Sequence, residues 1–260
     1  MFSPPPAATV LSVSLFLLTG CTMTGGEDAA RVSETAQVAQ ASFSVGDYAE
    51  AARLYEKVSQ SEPGSVSALI GLGRSYAAMG QVARAQSALD RARQLSPRNP
   101  QVLNELGRLA LGQGKASEAL VFYEDSLMHD RKNLAALTGK AVTLDYLSRH
   151  AEARAVYQAG LAIYPTNFVL LSNSALSGVL SGDGAGGIAL MEELRRDPAQ
   201  GNQVLPNLAI AQVLEGQPAA ARKTLAGHMN EAQISALMRR AEEARRSRAA
   251  GQPIGHLVFQ

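Results

Sequence analysis

The sequence predicts an all-α solenoid of about six helix-turn-helix repeats, closed by a C-terminal capping helix. Three observations predict it. Residues 66–99 read as one amphipathic helical hairpin. The pattern of that hairpin recurs at a step of 34 residues across positions 32–229. The composition, 46% hydrophobic with no Trp and 5% aromatic residues, suits close packing of Ala/Leu-rich helices. One such hairpin cannot bury its own apolar face, so it needs copies alongside.

In the type hairpin the first helix carries Leu69, Leu72, Gly73 and Tyr76 on one face, and Gly80 stops it. Glycine enters the left-handed conformation of a helix end without strain. The second helix turns Ala85, Leu89 and Ala92 inward, and Pro97 lies just past its end, where no helix continues. Steps of 34 from Gly80 reach Gly46, Gly114, Ser148, Gly182 and Gly216. With 23 glycines in 260 residues, chance places fewer than one glycine in six such positions; five are found. Steps from Ala85 reach Ala51, Ala119, Ala153, Gly187 and Ala221; steps from Gly73 reach Ala39, Gly107, Ala141, Ala175 and Ala209. Both series are small throughout, which lets helices cross closely. Steps from Leu89 reach Tyr55, Tyr123, Tyr157, Met191 and Leu225, all large.

A 34-residue period with this small/large alternation resembles the tetratricopeptide repeat, or TPR. The resemblance covers units at 32–65, 66–99, 100–133, 134–167, 168–201 and 202–229. It implies a right-handed superhelix whose concave groove, lined by the first helix of each repeat, takes extended or helical peptides. Repeats two and three are the best formed. Repeat four has Lys140 at an apolar position and Ser148 at the turn. Repeat five is the loosest, with Gly178, Gly182, Gly184, Gly186 and Gly187, and reads either as relaxed packing or as a hinge. Pro206 falls in the first turn of a helix, where proline is accepted. Asn230 and Gln233 have the spacing of a capping box, opening a terminal helix over 230–249 with Ile234, Leu237, Met238 and Ala241 in one stripe. Residues 250–260, with Gly251, Pro253 and Gly255, read as a disordered tail.

Residues 1–20 contain no charged side chain, and the apolar run 7–18 is too short to span a bilayer. It fits a signal peptide. Leu18-Thr19-Gly20-Cys21 resembles the lipobox of bacterial lipoproteins, which implies a covalent lipid on Cys21, the single cysteine. Residues 21–31 then form a polar tether. By the enteric sorting rule, Thr22 in place of Asp implies an outer-membrane lipoprotein facing the periplasm.

No catalytic constellation is present. His129, His150, His228 and His256 are scattered without metal-ligand spacing, and there is no phosphate loop or nucleophile elbow. The sequence therefore predicts no enzyme, no cofactor beyond the lipid and no small-molecule substrate. A net charge of +1 gives no reason to expect nucleic acid. Function then lies in surfaces. The positions mapped to the groove are Arg74, Asn104, Glu105, Arg108, Asp145, Tyr146, Asn173, Leu176, Val179, Leu180, Asn207, Ile210 and Val213, polar toward the N-terminus and apolar toward the C-terminus. The apolar half suits an amphipathic helix or a hydrophobic tail. The Lys/Asn clamp of chaperone-cofactor TPRs is absent.

A lipobox, a short tether, uninterrupted TPRs and a capping helix together resemble the TPR lipoproteins of bacterial surface-fibre machines. LGRLALGQGKASEALVFYEDSL, AVTLDYLSRHAEARAVYQAGLAIYPTN and VLPNLAIAQVLEGQPAAARK are similar to the TadD lipoprotein family of Tad/Flp pilus assembly, and the layout is similar to type IV pilus pilotins. The resemblance implies an outer-membrane scaffold that binds a secretin or another pilus component. A periplasmic adaptor in outer-membrane protein or envelope assembly is the other reading.

Overall fold

The structure, a computed structural model, describes residues 24–259. The signal segment and Cys21 lie outside the described residues. Among the latter, helices occur in pairs and no strand is present. The pairs are α1 (Thr24–Ser44) with α2 (Tyr48–Ser61), α3 (Val66–Ala78) with α4 (Val82–Leu95), and α5 (Pro100–Gly112) with α6 (Ala116–His129). They continue with α7 (Leu134–Tyr146) and α8 (His150–Ile163), α9 (Phe168–Leu180) and α10 (Gly184–Leu194), then α11 (Leu205–Leu214) and α12 (Pro218–Leu225). Each pair packs on itself and on the next, so the fold is a TPR solenoid. Two further helices, α13 (Glu231–Ala249) and α14 (Gly255–Val258), follow it.

The turn inside each pair is built the same way six times. Gly46, Gly80, Gly114, Gly182 and Gly216 take φ between 71° and 102°, and Ser148 takes φ 60°. In the α3–α4 hairpin, the Gln81 amide donates to the Tyr76 carbonyl and the Gly80 amide to Ala77, at 2.8 and 3.0 Å. The same crossed pair of bonds closes the helix before Ser148, from Arg149 to Leu144 and from Ser148 to Asp145. These bonds satisfy carbonyls that a helix end leaves open. Ser148 is the one described non-glycine residue with positive φ, and a Cβ there costs about 1–2 kcal/mol. Between pairs, Asn99, Asn133 and Asn167 cap α5, α7 and α9 by accepting backbone N–H bonds.

Large side chains of the second helices insert where first helices lack bulk. A Cβ at Gly71 would lie 2.4 Å from the Tyr55 ring, and one at Gly139 would lie 2.3 Å from the Tyr123 ring. At Gly73 it would meet Leu89 at 2.7 Å and at Gly107 the Tyr123 ring at 2.9 Å. Tyr123 thus sits between its own repeat and the next. Ala51, Ala85, Ala119, Ala153 and Ala221 have no exposed surface. Repeat five follows the same rule: a Cβ at Gly187 would lie 2.4 Å from the Ala175 carbonyl oxygen. That glycine serves a close crossing, and α9 and α10 run unbroken on either side of Gly182.

Three features depart from the sequence expectations. α1 begins at Thr24, inside the stretch read as a polar tether, because residues 24–31 continue the helix that carries Val32, Ala36 and Ala39 against α2. Repeat six enters through a 3-10 turn at Gly201–Val204, and its two helices are short. The C-terminal tail is ordered: Ile254, Leu257 and Val258 are buried and α14 packs on α7. α13 opens with the reciprocal bonds of Asn230 and Gln233 at 3.0 and 2.9 Å. It packs chiefly on α11 and less on α12. A continuing stack would do the reverse, as α3 does against α2 and α1. The chain therefore turns back across the first helices instead of extending the stack.

Gly187→Ala separates close packing from helix propensity. In an open helix alanine is favoured by about 1 kcal/mol. Against the Ala175 backbone it should instead destabilise, by about 1–3 kcal/mol of overpacking. Urea unfolding followed by circular dichroism measures the sign; a stabilised variant contradicts the crossing.

Candidate protein-binding groove

First helices of four successive repeats line one cavity of about 790 Å³. α5 contributes Arg108, Leu111 and Gly112; α7 contributes Val142 and Tyr146; α9 contributes Asn173 and α11 Asn207. The far wall is the chain's own tail, His256, Val258 and Phe259. The lining mixes apolar side chains, Leu111, Val142, Val258 and Phe259, with polar ones, Arg108, Asn173 and Asn207, the composition of a pocket that takes apolar groups and orients them by a few hydrogen bonds.

The polar rim is only partly engaged. The Asn207 amide donates to Ser172 Oγ at 3.0 Å and to Asn173 Oδ1 at 3.3 Å. These two asparagines are 34 residues apart and occupy one repeat position, where the earlier repeats carry Gln37, Gly71, Glu105 and Gly139. Arg108 pairs with Glu105 at 2.7 Å and is half exposed; such a pair contributes under about 1 kcal/mol. Burial pushes the Tyr123 phenol beneath this rim well above its ordinary range, with Arg108 opposing.

Of the thirteen residues that the sequence assigned to the groove, the structure brings Arg108, Tyr146, Asn173 and Asn207 together at this cavity. Arg74 lies in a separate hollow of about 370 Å³ with Gln37, Gln40 and Gln101. Its guanidinium stacks 4.5 Å from the Phe43 ring centroid, and Nε stands 3.5 Å from Glu105. Asn104 is buried and donates to Asn133 Oδ1 at 2.8 Å. Asn133 caps α7 through that same oxygen, so Asn104 braces a helix start. Asp145 is fully buried: its Oδ1 meets His150 Nδ1 at 2.8 Å and accepts from Ser177 Oγ at 2.9 Å. It ties α7 to α8 and α9. Burial, and then the Asp145 charge, hold the Tyr157 phenol well above its ordinary value. A phenol with a raised folded-state pKa stabilises fully below its unfolded value near 10, and that contribution fades as pH rises above it.

Leu176, Val179 and Ile210 require correction, as do Leu180 and Val213. They are core residues, in one apolar cluster with Leu237, Met238, Ala241, Leu257 and Val258. α13 returns over α11, and the helix pair α9 and α10 packs against the same cluster. Arg248, near the end of α13, holds this return in place. It donates to the Val179 carbonyl at 3.2 Å and pairs with Glu215 at 3.1 Å. The 34-step series Arg74, Arg108, Val142, Leu176, Ile210 shows the effect: Arg108 is exposed, Val142 half-buried, and Leu176 and Ile210 buried. Leu111 lies one 34-residue step before Asp145 and Val142 one step after Arg108, so both were legible by that step; His256, Val258 and Phe259 carried no periodic signal.

Among the described residues no group of three His, Cys, Asp or Glu is placed to hold a metal ion, and no helix is long and apolar enough to cross a membrane. Residues 42–109 match the tetratricopeptide repeat family model. No curated protein sequence matches the chain. Among solved structures, the chain is similar to a chain of the APC/C hetero-tetramer Cut9-Hcn1, with TM-score 0.68 and 19% identity over 81% of this chain. It spans only 43% of that protein's length. It is similar to PilW, described as a widely conserved type IV pilus biogenesis factor, with TM-score 0.65 and 17% identity over 79% of this chain and 98% of that one. It is also similar to PilF of Pseudomonas aeruginosa, with TM-score 0.61 and 15% identity over 77% and 92%. These likenesses establish the fold, which in TPR proteins is a scaffold for protein partners.

Two substitutions check the division between rim and core. Leu176→Ala should cost about 2–5 kcal/mol of unfolding free energy. Arg108→Ala should change it by less than about 0.5 kcal/mol. Urea unfolding of both measures this, and equal small effects would return Leu176 to an open surface.

Proposed function

We propose that this chain is a non-enzymatic scaffold, anchored in the outer membrane through a lipid on Cys21, that serves assembly of a Tad/Flp-type pilus or its secretin. The observation that carries the scaffold reading is the cavity built by the first helices of repeats three to six. Apolar side chains there supply contact area, and Arg108, Asn173 and Asn207 supply direction. Leu18-Thr19-Gly20-Cys21 after an uncharged apolar segment supports the anchor. The lipid would hold the solenoid at the periplasmic face of the membrane, where secretin subunits insert. The TadD-like segments support the pilus reading. So does the likeness to a type IV pilus biogenesis factor along nearly all of that factor's length.

Cys21→Ser and a photocrosslinking side chain in place of Arg108 test the two halves of the reading. Wild-type protein should fractionate with the outer membrane and label with palmitate, and Cys21→Ser should move to the soluble periplasmic fraction. Illumination should trap a secretin or another pilus component. If Cys21→Ser stays in the outer membrane, the lipid anchor is wrong. Crosslinks confined to β-barrel assembly or peptidoglycan synthesis proteins would replace the pilus by a periplasmic adaptor role.

A further inference from the structure

The C-terminal segment sits where an incoming segment would bind. α13 ends in a turn at Gly251, φ 69°, closed by the Gln252 amide donating to the Ser247 carbonyl at 2.9 Å. Residues 252–253 are exposed and lead the chain to α7. There the backbone of Gly255 lies directly against the backbone of Tyr146: a Cβ on Gly255 would stand 2.3 Å from Tyr146 Cα. One helical turn follows, with Ile254, Leu257 and Val258 buried in the apolar cluster and Phe259 half-buried beside it. The His256 ring stands edge-on to Tyr146 at 6.4 Å. The tail fills one side of the concave face, and the 790 Å³ cavity remains open beside it.

We propose that residues 252–259 are an internal occupant of the concave face, and that a partner segment of the same chemistry binds by displacing them. This rests on the reading of the cavity as a partner-binding surface. That chemistry is a single helical turn with branched aliphatic side chains and one aromatic ring, and no side chain where the backbones touch. Three features fit an exchangeable occupant. The tail is one turn long, so it has little helical stability of its own. It hangs from a glycine- and proline-containing link, which lets it leave without disturbing α13. Its apolar residues Ile254, Leu257 and Val258 are buried in one cluster with the first helices, surface that water penalises when bare, so the face favours some apolar cover at all times. Displacement exchanges one cover for another. A resident tail lowers the affinity seen by a competitor in proportion to the time the tail is bound, which makes the surface selective for segments that match it.

The probe is a fluorescent synthetic peptide of residues 250–259, added to full-length chains. In wild type the tail blocks it. Gly255→Val forces the tail off the Tyr146 backbone, and Leu257→Asp expels it by charge. Both variants should bind the peptide at least tenfold more tightly than wild type, with thermal melting showing that the solenoid remains folded. Binding by neither folded variant, or equal binding by all three chains, overturns the inference. Wild-type dimers that dissociate on peptide addition would also overturn it, by assigning the tail to a second copy. No pilus component is present in this assay, so its failure leaves the crosslinking result standing, and loss of the crosslink leaves peptide binding standing.

Discussion

The close crossing of helices at positions without bulk is the constraint on which this molecule depends. Gly71, Gly73, Gly107 and Gly139 each stand where a Cβ would enter a Tyr or Leu side chain of a second helix. Ala85, Ala119 and Ala153 are buried completely at their partner crossings. The Tyr55 and Tyr123 rings thereby reach into the next repeat, and stability passes along the stack by nearest neighbours. The turn glycines serve the same end. A left-handed residue at every hairpin lets the second helix fold back along the first, and Ser148 accepts strain to keep that geometry.

Function follows from the same register. Because each first helix is held by its small-residue face, its opposite face is presented inward at equal spacing along the stack. Arg108 and Val142 are one step apart, and so are Asn173 and Asn207. The solenoid then does something a stack of repeats does not require. α13 turns back over α11, fastened by Arg248 to Glu215 and to the Val179 carbonyl. The tail crosses to Tyr146. The C-terminal half of the concave face becomes core, and the open cavity is shifted toward repeats three and four.

The repeat fold was legible because its signals are local and periodic. The 34-residue step, the turn glycines and the Asn230–Gln233 spacing each depend on residues near one another in sequence. The turn residues, including Ser148, all adopt the positive φ that this pattern demands. The groove was legible only in part. Arg108, Tyr146, Asn173 and Asn207 were placed by the step alone. Leu176, Val179 and Ile210 have the same spacing, but their exposure is decided by a segment some 50 residues further on, whose direction no periodicity records. Asp145 was mapped to the groove and is instead buried, bound to His150 and Ser177. Residues 254–258 carry Gly and lie beyond Pro253, and so read as a tail. Their order comes from contact with Tyr146, which no local rule contains.

The claim at the centre of this account is that the chain covers its own concave face. Amide hydrogen exchange of the full-length wild-type chain, resolved at Leu257, Val258 and Phe259, tests it most directly. The amides of Leu257 and Val258 donate to the Ile254 carbonyl and that of Phe259 to Gly255, at 2.9 to 3.1 Å, against the buried side of α7. The account predicts exchange at these three at least tenfold slower than in the free peptide. Exchange at the free-peptide rate across all of 252–259 would contradict it, and would leave the face of α7 at Tyr146 uncovered.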